Sequence, residues 1–316
     1  MGVNQFRISL PAGLATVIGS LPQLNPFDAS RMVSEFLPGL PAAPTVTLEP
    51  DVEELIERDR LGGERLSDLD VARMAPARAF LEGLRGRVEP VVLSLTGPVT
   101  IDLRIMQEGV ERERAAVLSR AYVEEWARSI VEMAAQVLPG APVLLFFEEP
   151  GLSNSMHPTF PLAPREIAAL VRGAVRSVAE RALVGVQVSG RADWGLLVRT
   201  GIGVLGAPIS ARLETAAGDI KRFLDEGGFI AWGAVPVDEP LGPNSDRLWR
   251  RLSEMWAELV AAGIDPLQLR ERSIITPAAN LGAFGLTQSE RVLRLTTELS
   301  QRVFHQVVGA RFAVGA

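Results

Sequence analysis

The chain has 316 residues, of which 47% are hydrophobic and 22% are charged, a composition typical of a globular protein with a sizeable buried core. It contains no cysteine, which excludes disulfides, thiolate nucleophiles and cysteine-ligated metal sites. The net charge is −6 and the charges are interspersed, so we expect no nucleic-acid partner. No signal-peptide pattern opens the chain, and no apolar run approaches the roughly 18 residues of a membrane span, so we expect a cytoplasmic protein.

Short β-branched runs alternate along the chain with longer stretches of helical periodicity. The predicted strands are Ala15–Ser20, Val88–Thr96, Pro142–Phe147, Leu183–Val188, Gly203–Leu205, Phe229–Val235 and Ser273–Thr276, with an eighth, less regular, near Pro44–Leu48. The predicted helices are Pro26–Leu37, Val71–Leu84, Glu111–Leu138, Pro164–Arg181, Asp193–Thr200, Leu213–Glu226, Ser245–Gly263 and Thr287–Val308.

This alternation predicts the fold class. Strands that are apolar on both faces are typical of a parallel sheet covered by helices. Eight strand–helix units favour a single α/β domain over residues 1–316 that closes as a (β/α)8 TIM barrel. No Gly-x-Gly-x-x-Gly motif follows the first strand, which argues against a dinucleotide-binding fold. The charged, irregular segment Glu49–Asp70 predicts a long loop or lid over the barrel mouth.

In such barrels the active site lies at the carboxyl ends of the strands, so the strand exits are where functional residues are expected. Four exits read TVIGSLPQ, LTGPVTI, FEEPGL and ITPAANLG. In this order and at these intervals they resemble the carboxyl-terminal catalytic domain of cobalamin-independent methionine synthase, and the chain looks most like the shorter, single-domain members of that family. The resemblance extends over nearly the whole chain. The superfamily also resembles uroporphyrinogen decarboxylases, whose typical arginine-rich amino-terminal segment is missing from this chain.

The resemblance implies a small-molecule substrate and methyl transfer to a thiol. In the family the methyl group comes from a folate or a corrinoid, and a corrinoid protein is therefore a partner that the resemblance suggests. A zinc ion activates the thiol, because a metal deprotonates a group that is mostly protonated at neutral pH. By resemblance, Ile18, Gly19 and Ser20 hold the carboxylate of an amino-acid substrate, Glu148 binds its ammonium group, and Thr96 shapes the floor of the donor site.

The family's zinc ligands fall on residues that do not ligate zinc. A histidine and a cysteine two residues apart correspond to Gln187 and Ser189, an acidic residue corresponds to a position near Ala207, and a cysteine corresponds to Ala278 or Ala279. Zinc sites require three or four nitrogen, sulfur or carboxylate donors. We therefore predict no metal site and no resident cofactor.

The two histidines do not replace this ligand set. His157, which follows the Glu148–Glu149 pair, is the better placed of the two, but one histidine and a few carboxylates make a weak metal site. His305 lies near the end of the last predicted helix, where we expect it at the surface or between helices.

The remaining pocket candidates come from the same strand exits. Glu149 adjoins Glu148, and because neighbouring residues of a strand point to opposite sides, at most one of the two faces the mouth. Arg191 either binds an anionic group with its fork of donors or pairs with Asp193. The other candidates at the ends of strands are Trp232 and Thr276. Trp249 and Trp256 are seven residues apart on a predicted helix, which indicates packing.

Three functions remain open on these residues. The first is a methyltransferase of the methionine-synthase type that works without its own zinc, with a more acidic acceptor or with a metal supplied by a partner. The second is a non-catalytic barrel that binds an amino acid or a carboxylate. The third is a zinc-free enzyme resembling uroporphyrinogen decarboxylases, with Arg191 and a carboxylate as its charged groups. The fold alone does not decide among them.

Overall fold

The computed structural model describes residues 8–22, 25–44, 51–62 and 72–314. Within these ranges the chain is an α/β protein built on one parallel sheet. Its strands are β1 (Leu14–Ala15), β2 (Val91–Thr96), β3 (Val143–Glu148), β4 (Ala182–Gln187), β5 (Val204–Pro208), β6 (Phe229–Val235) and β7 (Ser273–Pro277). Nearly all of their residues are buried, because helices pack on one face and the sheet curls around the other.

The helices follow the strands in alternation. They are α1 (Pro26–Phe36), α2 (Val52–Arg60), α3 (Ala75–Gly83), α4 (Pro98–Gln107), α5 (Arg112–Val137), α6 (Pro164–Val178), α7 (Trp194–Val198), α8 (Ala217–Asp225), α9 (Asp246–Ala261), α10 (Pro266–Glu271) and α11 (Leu286–Val314). Side-chain caps start several of them. Asn25 accepts from the N–H of Phe27 at the start of α1, and Asp265 accepts from that of Leu267 at the start of α10. None of the described helices is long and apolar enough to cross a membrane.

The strand order is β1-β7-β6-β5-β4-β3-β2, so that β1 and β2 form the two edges of the sheet. Beside the free edge of β2, Ala42 forms a single parallel bridge with Val92, and the Ala43 N–H donates to the Val92 oxygen at 2.8 Å. Most of the strand predicted at Pro44–Leu48 lies outside the described residues. The prediction of a closed eight-stranded barrel is therefore confirmed only in part: the described residues form a curled, parallel sheet of seven strands that does not close.

Three helices differ from the sequence prediction. Val52–Arg60 forms α2 inside the segment that was predicted to be an irregular loop over Glu49–Asp70, the rest of which lies largely outside the described residues. Its charges follow the helix dipole, since Glu53 and Glu54 occupy the first turn and two arginines the last. The Asp51 side chain also accepts from the Glu54 N–H, so the charged composition reflects a capped helix. Helices α4 and α10 were not predicted at all.

Register determines which residues reach the inside of the sheet. Side chains in direct register on neighbouring parallel strands point to the same face. Ala207, Trp232 and Ile275 form one such row. Trp232 packs edge-on against Trp256 of α9, with ring centroids 6.4 Å apart, so this row faces the outer helices. Trp232, which the sequence predicted as a pocket residue, is fully buried there.

The buried indole of Trp232 offers a test of this packing. Its Nε1 donates to the Ser273 hydroxyl at 2.8 Å. Trp232→Phe removes that donor and part of the ring, so we expect the free energy of unfolding in urea to fall by about 2 kcal/mol. Trp249→Phe, at a partly buried position of α9, serves as the matched control and should cost less. Equal losses for the two variants would contradict the assigned packing.

Candidate functional site

Four residues at the carboxyl ends of neighbouring strands stand in direct register. Thr96 of β2 pairs with Glu148 of β3, and Glu148 pairs with Gln187 of β4. Gln187 in turn pairs with Gly206 of β5. The Glu148 carboxylate lies against Gly19, which follows β1. Because β1 and β3 are not neighbours in the sheet, this contact crosses the inside of the curl, and the whole row faces inward.

The turn after β1 is built around the Glu148 carboxylate. Gly19 has a φ of 93°, a conformation that favours glycine, and a Cβ there would overlap that carboxylate and lie 2.7 Å from the Asn280 Cβ. Ile18, immediately before it, is buried in the core. Ser20, immediately after it, donates from its hydroxyl to Asn280 Oδ1 at 3.4 Å. The exits of β1 and β7 therefore meet beside Glu148.

Two buried polar atoms at these strand ends lack a hydrogen-bond partner among the described residues. They are Oε1 of Gln187 and the hydroxyl oxygen of Thr276. The Gln187 side chain extends over β5, where a Cβ on Gly206 would overlap its Oε1. Buried polar atoms are normally paired, so each of these two atoms is a place where a ligand or a water would make a hydrogen bond.

A cavity of about 230 Å³ opens beside the carboxyl ends of β5 and β6. Ser189 and Ala279, two of the predicted pocket residues, both line it. Its rim carries charge, since Arg251 of α9 forms an ion pair with Glu239 at 3.0 Å and Asp238 also lines the wall. The cavity thus combines small, uncharged side chains with a charged rim.

Glu149 has a different structural role from Glu148. It is fully buried and accepts hydrogen bonds from the backbone N–H of Val99 at 2.9 Å and of Thr100 at 2.7 Å. The Thr100 hydroxyl donates to the same carboxylate at 2.6 Å. Gly97, the residue before α4, has no side chain to cap the helix, and a Cβ there would overlap Glu149. The carboxylate of Glu149, which the sequence predicted as a pocket residue, thus caps α4.

Burial raises the pKa of Glu149 to about 7, although the Thr100 hydroxyl and the two backbone N–H groups favour its charged form and oppose that rise. The negative charge of Asp102, on the next turn of α4, raises it further. The carboxyl of Glu149 therefore exchanges its proton near neutral pH while it holds the amino terminus of a helix.

Other predicted residues lie away from the inward row. Arg191 is exposed, and within the described part of the chain it forms no ion pair with Asp193. The Asp193 carboxylate instead caps α7 by accepting from the Leu196 N–H at 2.8 Å. His157 is exposed, with its Nδ1 2.8 Å from the Thr159 hydroxyl. His305 is exposed on α11, as expected.

The residues at the family's zinc-ligand positions do not fit zinc. Gln187 offers an amide and Ser189 an exposed hydroxyl, while Ala278 and Ala279 offer only methyl groups. Ala207 points away from the mouth, because it shares the outward row of its strand neighbours. Across residues 8–22, 25–44, 51–62 and 72–314, no group of three or more histidines and carboxylates lies close enough together to hold a metal ion.

The sequence interpretation did not single out three residues of this region. Asn280 touches both Gly19 and Ser20, Gly206 makes room for Gln187, and Arg251 closes one side of the cavity. Asn280 lies in the ITPAANLG motif just after β7, and this position at a strand exit would have allowed its prediction as a site residue. The position of Arg251 on a helix surface carried no such signal.

No family model matches the chain, and no curated protein matches it significantly. Solved structures are similar in fold. A methyltransferase from Methanosarcina mazei aligns with a TM-score of 0.62 at 14% identity, over 92% of this chain and 94% of that one. A Listeria monocytogenes protein provisionally named a vitamin-B12-independent methionine synthase aligns with a TM-score of 0.53 at 11% identity, over 94% and 99%. At these identities the similarity establishes the fold alone.

The raised pKa of Glu149 predicts how stability depends on pH. The unfolded chain releases this proton near the ordinary value of 4.5, whereas the folded chain holds it to about 7. The stabilisation is thus complete below about pH 4.5 and declines as the pH rises to 7, by at most about 1.4 kcal/mol per pH unit. Glu149→Gln has no proton to release there.

Urea unfolding at pH 5, 6, 7 and 8 would measure this effect. Burial also raises the pKa of Asp102, to about 6. The stability contribution of Asp102 therefore also falls as the pH rises, but at lower pH than that of Glu149. The comparison between pH 6 and 7 therefore reports mainly on Glu149. Glu258→Gln, an exposed carboxylate on α9, is the control and should retain the wild-type slope. A Glu149→Gln protein that keeps this slope would rule out Glu149 as its source.

Proposed function

We propose that the chain is a methionine-synthase-like barrel enzyme that binds a small amino acid or thiol at the carboxyl ends of its strands and transfers a methyl group without a zinc ion. The observation that carries this proposal is the inward-facing Glu148, held between the turn at Gly19 and Asn280. The two structural relatives with methyltransferase and methionine-synthase names support the fold on which the proposal rests.

The chemistry of the site suits a zwitterionic ligand. The Glu148 carboxylate is complementary to an ammonium group, and a partly buried position strengthens that attraction. A backbone N–H of the Gly19 turn is a donor for a carboxylate, and so is the Ser20 hydroxyl where the ligand replaces its long bond to Asn280 Oδ1. Gln187 Oε1, which is buried and unpaired among the described residues, is an acceptor for an N–H, O–H or S–H of the ligand.

Without zinc, the methyl acceptor must reach its nucleophilic form by itself. An alkyl thiol with a pKa of about 8.5 is mostly protonated at neutral pH. We therefore propose an acceptor more acidic than an alkyl thiol, or one activated by a metal that a partner carries. The methyl donor in this proposal is a folate or a corrinoid, the latter delivered by a corrinoid protein in the cytoplasm. We further propose that the chain closes as a (β/α)8 barrel.

A specific observation favours one alternative. Ser189, Ala278 and Ala279 offer no nitrogen, sulfur or carboxylate donor to this cavity, which also suits a barrel that binds an amino acid without catalysis. The decarboxylase alternative receives less support, because Arg191 is exposed and lies in the turn after β4, outside the inward row of strand residues.

The first experiment separates ligand recognition from catalysis. Isothermal titration with L-methionine and with 3-(methylthio)propionate, which lacks the amino group, measures what the ammonium group contributes. Glu148→Gln should weaken L-methionine binding at least about tenfold, since a charged hydrogen bond contributes roughly 1.5–3 kcal/mol. Binding of the propionate should change little.

The matched control is Glu111→Gln, an exposed carboxylate before α5. Equal affinities of Glu148→Gln and the wild type for L-methionine would refute the assigned role of Glu148. Incubation of the wild type with an aromatic thiol, which is more acidic than an alkyl thiol, and either methylcobalamin or 5-methyltetrahydrofolate then tests methyl transfer, with homocysteine as the alkyl-thiol comparison. Binding of L-methionine with no methylation of either thiol would favour the non-catalytic alternative.

A metal measurement tests the zinc-independent part of the proposal. Tag-free protein is loaded with zinc, desalted and assayed by elemental analysis. We expect far less than one zinc per chain, because the amide, hydroxyl and methyl groups at the ligand positions do not form a zinc site. Near-stoichiometric zinc would overturn this part and direct attention to His157 and Glu148.

A further inference from the structure

A second cavity lies on the outer surface, away from the strand exits. It has a volume of about 210 Å³ and lies between α4, α5 and α6. Its polar wall includes Asp102, Arg112 and Glu166, and its apolar wall includes Leu162 and Leu170. It shares no lining residue with the cavity beside β5 and β6, so it is a separate site.

Two polar atoms of this wall are buried and unpaired. Asp102 is fully buried, and its Oδ2 has no hydrogen-bond partner among the described residues, while its Oδ1 accepts only a long bond from the Ser119 hydroxyl at 3.4 Å. The Nε of Arg112 is likewise buried and unpaired, although its guanidinium forms an ion pair with Glu166. The wall thus presents one acceptor and one donor that the described residues do not use.

The charges around the cavity indicate the kind of ligand. The positive side chains of Arg112 and Arg120 repel a cation. The carboxylates of Asp102, Glu113 and Glu166 repel an anion. The mixture of charges therefore favours a neutral ligand. A hydroxyl group is both a donor and an acceptor, so it satisfies both kinds of unpaired atom. A water molecule does the same, but it leaves the apolar wall uncovered.

We propose that this cavity binds a small neutral alcohol. Its hydroxyl donates to Asp102 Oδ2 and accepts from Arg112 Nε, and its hydrocarbon part packs on Leu162 and Leu170. This site is independent of the amino-acid site at Glu148, so either proposal can fail without the other.

Cyclopentanol and cyclopentanone are the matched probes, because the ketone accepts a hydrogen bond but has none to donate to Asp102. Titration of isotope-labelled protein by NMR should shift the amide signals of Ser119 and Leu170 with cyclopentanol. Asp102→Leu keeps the approximate volume and removes the acceptor. It should weaken cyclopentanol binding about fivefold or more, the value of one net hydrogen bond, and leave cyclopentanone binding nearly unchanged.

A second variant makes the test independent of the folding of Asp102→Leu. Ala116→Leu fills the cavity while it keeps Asp102, and should abolish binding of both probes. Ala257→Leu adds the same bulk to an exposed position of α9 and should alter neither. If cyclopentanol shifts no signals around the cavity, or binds Asp102→Leu or Ala116→Leu as tightly as the wild type, the cavity is a water site and the proposal is wrong.

Discussion

The buried carboxylate of Glu149 is the constraint on which one wall of the site depends. It joins the end of β3 to the amino terminus of α4 through two backbone N–H groups and one hydroxyl. Because neighbouring residues of a strand point to opposite sides, a Glu149 held against α4 directs Glu148 to the inside of the sheet. The backbone at the end of β3 therefore determines both that Glu149 caps α4 and that Glu148 faces the inside of the sheet.

Glycines provide the space that these side chains require. A side chain at Gly97 would displace Glu149 from its cap, and one at Gly19 would displace Glu148 from the turn after β1. Gly206 likewise leaves room for the amide of Gln187. At each of these glycines the missing side chain leaves a space, and a longer polar side chain from the end of another strand occupies it. At Gly19 and Gly206 the space is filled by Glu148 and Gln187, the polar side chains of the inward row.

Most of the sheet is predictable from sequence, because continuous apolar runs are a local signal. Phe229–Val235 is predicted with its observed bounds, and Pro142–Phe147 differs from β3 by one residue at each end. Helix α4 escapes such prediction because its cap, Glu149, lies about fifty residues further along the chain. The predicted strand Ala15–Ser20 shortens to Leu14–Ala15, since the chain beyond it turns at Gly19 to meet Glu148.

For the site, too, the features set by local sequence were predictable and those set by distant contacts were not. The alternation of Glu148 and Glu149 follows from strand geometry and was predictable. The outward orientation of Trp232 was not, because it depends on register with β5 and β7. The resemblance placed Gln187 at a position where that family has a zinc ligand, but only the fold reveals that its Oε1 is buried over Gly206 and unpaired among the described residues.

Helix α4 connects the two regions that carry unpaired or titrating groups. Its first turn is capped by Glu149 beside the strand exits, and Asp102 on the same helix lines the outer cavity. Burial raises the pKa of both carboxyls, and the negative charge of Asp102 raises that of Glu149 further. A bound alcohol that stabilises the charged form of Asp102 would therefore favour protonated Glu149. The titration of the α4 cap is thus coupled to the charge of Asp102 on the same helix.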